Sequence, residues 1–150
     1  MGFEFGTDGP HAILVGVDGS ETSLRAAAYA AGLARRQGTQ LVAVYARTQP
    51  AVLISIADHV AIASREVMEA QDAMEAQLCE AVRTQTALWG VEAELIVRSG
   101  DPMTVLCEVA KEVRADAVIV GSSAGVGHRI AGSLAVRLVR ARRWPVTVVP

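Results

Sequence analysis

The side chains able to do chemistry gather in one stretch of this chain, Gly121-Ser122-Ser123-Ala124-Gly125, followed by Gly127, His128, Arg129, Gly132 and Ser133. The first five residues spell G-x-S-x-G directly after an apolar run, the setting of a hydrolase nucleophile elbow. A serine nucleophile there needs an acid and a histidine later in the chain, and no Asp or Glu follows Asp116. Glycines also continue through Gly127, where an elbow would already have entered its helix. A Walker A loop requires Gly-Lys-Ser/Thr, and this loop has no Lys. A dinucleotide fingerprint belongs after the first strand, where the chain reads Gly16-Val17-Asp18-Gly19-Ser20 instead of G-x-G-x-x-G. Two readings stay open: a glycine-rich connection that binds nothing, as many that join strands to helices do, and anion chemistry. Glycines let backbone N–H groups approach phosphate oxygens, and Gly132-Ser133 opens a helix whose N-terminus attracts negative charge. His128 and Arg129 would add charge-assisted hydrogen bonds.

Charge is distributed unevenly along the chain. Up to Asp116 there are nine basic and sixteen acidic residues, and after it five arginines and no acid. The end of the chain is thus a positive region on a mildly acidic protein, which favours an anion. Arg140, Arg142 and Arg143 have a second reading, as cations complementing the dipole at the end of the last helix. Metal chemistry is not expected, because His11, His59 and His128 show no pairing at ligand spacing. Cys79 and Cys107 are far apart and read as small buried hydrophobes rather than a disulfide.

The elements that must position these groups alternate along the chain. Ala12 to Asp18 is a continuous apolar run, as expected of a strand buried on both faces. Asp18-Gly19-Ser20 turns the chain, with Ser20 as N-cap of a helix that Gly38 stops. Leu41 to Ala46 is the second strand. Residues 47–61 read as an irregular connection carrying the apolar patch Val52-Leu53-Ile54. A long helix from about Ser64 to Trp89 follows, with Val67, Met74, Leu78, Ala81, Val82 and Leu88 on its expected core stripe. Gly90 ends it. Glu92 to Arg98 is the third strand, and Gly100-Asp101-Pro102 leads into a helix ending near Arg114. Asp116 to Gly121 is the fourth strand, Ser133 to about Arg142 the last helix, and Trp144 to Val149 the fifth strand.

This alternation implies one α/β domain over residues 1–150, a five-stranded parallel sheet with helices on both faces and right-handed crossovers. A chain of 150 residues buries roughly 70% of its unfolded surface, enough for one core without staples. With 51% hydrophobic but only 4% aromatic residues, that core must come from Val, Leu, Ile and Ala. No apolar stretch reaches the roughly 18 residues of a membrane span. Residues 1–11 carry acids and no Lys or Arg, unlike a secretory leader, so a cytoplasmic protein is expected. Ligands of such sheets sit at the carboxyl ends of strands where the order reverses. There the end of the first strand (Gly16, Val17, Asp18) meets the glycine loop. Val146, Thr147, Val148 and Val149 form a short apolar strand at a sheet edge, bracketed by Pro145 and Pro150, which invites pairing with a second copy.

Taken in order, ILVGVDGSETS, GDP, ADAVIVGSS, a glycine loop, Gly-Ser and PVTVV resemble the universal stress protein family over about residues 11–150. The resemblance implies a Rossmann-like domain of the adenine nucleotide alpha hydrolase-like kind, a homodimer through the last strand, and a stress-linked regulatory role. In the ATP-binding branch the loop follows G-x2-G-x9-G-[S/T]. By that pattern Gly121 matches the first glycine, Gly132 and Ser133 the closing pair, and Asp18 the acid that contacts adenosine. Ala46 falls where the family has a small residue against adenine. The resemblance thus implies ATP, with Mg, bound by Gly16, Val17, Asp18, Ala46, Gly121, Ser122, Gly125, Gly127, His128, Arg129, Gly132, Ser133 and Leu134. Two departures stand against it: Ala124 occupies the second glycine position, and ten residues separate Gly121 from Gly132 where the pattern has twelve. A nucleotide-free interaction module is therefore the alternative, and Asp18 has a second reading as a turn-former. A flavin-dependent carrier is a weaker third, since the loop after the first strand lacks a hydroxyl-rich phosphate nest. No nucleophile or acid/base pair stands out, so at most slow ATP hydrolysis is expected, with no nucleic-acid or membrane partner.

Overall fold

The computed structural model describes residues 10–49, 57–122 and 133–150. Strands and helices alternate as β1 (Ala12–Gly16), α1 (Glu21–Gln37), β2 (Gln40–Arg47), α2 (Ala57–Trp89), β3 (Ala93–Ser99), α3 (Pro102–Glu112), β4 (Ala115–Gly121), α4 (Ser133–Ala141) and β5 (Val146–Val149). The five strands make one parallel sheet in the order β3-β2-β1-β4-β5. The order reverses at β1, and β5 lies at an edge, both as the sequence implies.

β1 has an apolar residue on both faces because both faces are covered. Ala12 and Leu14 pack with Val105, Leu106 and Val109 of α3 and Leu138 of α4. Ile13 and Val15 pack with Ala26, Ala30 and Ala34 of α1 and Leu78 of α2. Each fully buried Val, Leu or Ile contributes about 1.5–3 kcal/mol relative to exposure.

The turns follow their chemistry. Ser20 caps α1, its side chain accepting the Ser23 N–H at 3.2 Å. Gly38 closes that helix at φ 66°, where a side chain would be strained. Asp101 caps α3 by accepting the Thr104 N–H at 3.1 Å, with Pro102 at the first position. At the opposite end of the sheet the β1–β4 register slips between Ala12 and Ile13, passing over Asp116. The Asp116 carboxylate replaces the lost ladder partner, accepting the N–H groups of His11 at 2.8 Å and Ala12 at 3.1 Å.

Three expectations need correction. α2 begins at Ala57, not near Ser64; nothing from Ala57 to Ala63 is a helix breaker, so the helix extends into what reads as the connection. The expected core stripe holds only in the middle of α2: Leu78 is buried and Met74 and Val82 are half-buried, whereas Val67 and Leu88 are 42% and 69% exposed. A helix of 33 residues is about 50 Å long, and the seven residues of β3 span only about 23 Å, so the sheet cannot cover both ends. Cys79 is exposed rather than buried, and Cys107 is intermediate. Both are free thiols. Val52, Leu53 and Ile54 lie outside the described residues.

Candidate functional site

A cavity of about 270 Å³ opens at the carboxyl ends of β1, β2 and β4, where the strand order reverses. β1 and the turn after it contribute Gly16, Val17 and Asp18, and β2 contributes Val44 and Ala46. β4 contributes Val120 and Gly121, with Ser122 just beyond it. The first turns of three helices close the rest: Ser20, Thr22 and Ser23 of the α1 start, Pro102 with Leu106 of α3, and Leu134 with Ala135 of α4. The pocket therefore combines an apolar slot between Val44, Ala46 and Leu106 with a polar rim of hydroxyls, one carboxylate and helix N-termini, which favour anions.

Asp18 is exposed and sits in an interlocked turn. Its Oδ1 accepts the Ser20 N–H at 2.9 Å, and its own N–H donates to Ser23 Oγ at 3.2 Å. Ser23 Oγ in turn donates to the Ser20 carbonyl at 2.9 Å. Partial desolvation alone would raise the Asp18 carboxyl, but hydrogen bonds from the Ser20 side chain and backbone and the Ser23 hydroxyl outweigh it, so the group lies below its usual value of 3.8. The turn-forming reading of Asp18 is thus realised, and the carboxylate stays ionised at neutral pH.

Gly121 has a different local role from the one the loop pattern suggests. A Cβ there would fall 2.5 Å from the Thr22 carbonyl carbon and 2.7 Å from the Ser23 nitrogen. Glycine lets the first turn of α1 press directly onto the end of β4, which brings Thr22 and Ser23 to the cavity.

Around the rim, ion pairs hold the covering helices. Arg47, at the end of β2, donates to Asp72 at 2.7 Å, Glu75 at 2.9 Å and Gln71 at 3.2 Å, fixing the middle of α2. Hydrogen bonding to Asp72 first, then to Glu75, holds the Arg47 guanidinium above its usual pKa. Tyr45 is pushed up by burial first, then by Glu75 and Asp18, with Arg47 opposing. Met74 of α2 lies against Gly19 in the turn beside Asp18. Asp101 joins α3 to α4 through Arg137 at 3.3 Å, and that pairing, followed by the Thr104 N–H, lowers its carboxyl.

Of the residues expected to bind, Gly16, Val17, Asp18, Ala46, Gly121, Ser122 and Leu134 come together at this cavity. Ser133 begins α4 beside it. Gly125, Gly127, His128, Arg129 and Gly132 lie outside the described residues. Sequence reasoning missed Ser20, Thr22, Ser23, Val44, Pro102, Leu106, Val120 and Ala135 as cavity residues. SETS and GDP signalled helix starts on this side of the sheet, whereas Leu106 and Ala135 depend on how α3 and α4 pack. Among the described residues no group of three His, Cys, Asp or Glu could hold a metal ion, and no helix is long and apolar enough to cross a membrane.

A universal stress protein of Methanocaldococcus jannaschii is 27% identical over 141 residues, covering 91% of this chain and 80% of that protein. A solved universal stress protein in complex with cAMP is 26% identical at a TM-score of 0.70, covering 95% of this chain and 99% of that one. An Arabidopsis thaliana universal stress protein with AMP bound shares the fold at 23% identity and a TM-score of 0.62, over 93% and 91% of the two chains. The sequence matches the universal stress protein family over residues 10–150, and with this fold and this cavity the chain belongs to that family.

Proposed function

We propose that this protein is a small regulatory module that binds an adenine nucleotide in the cavity at the ends of β1 and β4. The observation that carries the reading is the pairing of an apolar slot, Val44, Ala46 and Leu106, with Asp18 on one side and the α4 N-terminus on the other. In this reading an adenine ring occupies the slot, a ribose hydroxyl donates to Asp18, and the phosphates lie toward Ser122 and the start of α4; Gly125, Gly127, His128, Arg129, Gly132 and Ser133 are the residues that the family pattern adds to the phosphate site. The cAMP complex of a relative supports the same ligand class. ATP with Mg is the fullest form of the proposal, with the metal held mainly by phosphate oxygens. The proposed role is binding, with slow ATP hydrolysis at most. The proposed assembly is a homodimer through the open side of β5, whose Val148 is 37% exposed, and the proposed setting is the cytoplasm.

A nucleotide-free interaction module is the second reading. In its favour, two of the diagnostic residues have structural reasons of their own: Asp18 forms the turn, and Gly121 admits α1.

Titration with ATP and with inorganic triphosphate separates the two. Asp18→Ala should weaken ATP by about 1.5–3 kcal/mol, the range for a hydrogen bond to a charged group, and leave triphosphate unaffected or slightly better bound. ATP affinity unchanged by Asp18→Ala would sink the adenosine assignment. No binding by the unmodified protein, together with no nucleotide released on denaturation, would establish the nucleotide-free reading.

A further inference from the structure

Among the described residues, the α1/α2 side of the sheet is incompletely covered. α2 makes its main contacts with β3 and β2 rather than with α1, although both helices lie on this face. Between them is a cleft of about 220 Å³, walled by Ala28 and Ala31 on one side, Leu78, Val82 and Trp89 on the other, and floored by Ala43. Alanines on α1 leave the helices apart, because a single methyl cannot bridge to α2. An engineered apolar cavity of about 150 Å³ takes up benzene, so this space suffices for a small ring.

The lining side chains are apolar apart from Gln85 and the indole N–H of Trp89. The Gln85 Oε1 is buried and has no hydrogen-bond partner among the described residues. An acceptor shut away without a donor is costly, and a guest bringing an N–H or O–H relieves that cost once the amide turns toward it. Trp89, 39% exposed, offers a ring face or edge against which an aromatic guest gains more than its buried area alone. A neighbouring hollow along α1 shares Ala28, Ala31 and Trp89 and reaches Arg35.

We propose that this cleft is a second binding site, for a small aromatic molecule carrying one polar hydrogen, of the phenol or indole class. It is separate from the cavity at the ends of β1 and β4, touching the same residue only at Val17.

The test uses phenol and toluene, nearly equal in shape and different in the donor, followed by saturation-transfer NMR. Phenol should bind the unmodified protein more tightly than toluene by roughly three- to tenfold, what one neutral hydrogen bond supplies. Gln85→Leu should abolish that preference while toluene still binds. Ala28→Phe should weaken both probes, and so should Ala81→Leu, which narrows the cleft from the opposite wall; both positions are exposed, so the helices tolerate the larger side chains. Saturating AMP should leave phenol binding unchanged, and this holds whether or not the nucleotide reading stands. Failure of both probes to bind, equal affinity for the two, competition by AMP, or blocking variants that bind as the parent does would each overturn the proposal.

Discussion

Replacing Gly121 by alanine tests whether α1 is seated on the end of β4 as closely as described. The new Cβ meets only backbone, the nearest atom at 2.5 Å, where ordinary contact begins at about 3.4 Å. The first turn of α1 must therefore withdraw by about 0.9 Å, and no rotamer change relieves it. Overpacking of this kind costs about 1–3 kcal/mol. At roughly 2–4 °C per kcal/mol for a chain of this size, a loss of 2 kcal/mol lowers Tm by about 4–8 °C. Because Ser20, Thr22 and Ser23 ride on that turn, the stabilisation by added AMP should shrink as well. Gly38→Ala is the matched control: its φ of 66° strains an alanine by roughly 1–2 kcal/mol, but its Cβ meets nothing. It should lower Tm comparably and leave the AMP response intact. Trimming the neighbour with Thr22→Ala should not rescue Gly121→Ala, since the clash is with main chain. Differential scanning calorimetry of the four proteins gives the answer. A Gly121→Ala melting point within about 1 °C of the parent would refute the packing argument.

Two further outcomes follow from side chains that replace backbone partners. Asp116→Ala removes the carboxylate to which the His11 and Ala12 N–H groups donate, and should cost about 1–3 kcal/mol in urea denaturation, with Asp116→Asn losing less because it keeps one acceptor oxygen. Asp101 has a folded-state pKa below its ordinary 3.8, so its contribution is present above that pH and lost as pH falls through the folded value. The stability gap between the parent and Asp101→Asn should thus be constant from about pH 6 to 8 and close below about pH 3.8, as read by melting temperature across an acid series.

The sequence was legible where one residue type has one use. The β1 and β4 runs, the Ser20 cap and the Gly38 stop needed no tertiary information, because burial on both faces, an orphaned N–H and a left-handed φ each select particular side chains. The location of the cavity followed from strand order alone. The parts that were not legible depend on fit between distant elements. Gly121 looks like a ligand-facing glycine in a motif, yet the atom it makes room for belongs to Thr22. Val67 and Leu88 lie on an apolar stripe whose burial was decided by the length of β3, about which the α2 sequence says nothing. The slip at Asp116 is invisible in a run that reads as an ordinary strand start.

The way α2 is held has a mechanical consequence. The helix is gripped at its middle by Arg47, rests there on Gly19 through Met74, and runs on past the sheet at its ends. It behaves as a lever whose fulcrum stands next to Asp18. A tilt of roughly 5° about Met74 would carry the Ala57 end through about 2 Å, at 1.5 Å of rise per residue.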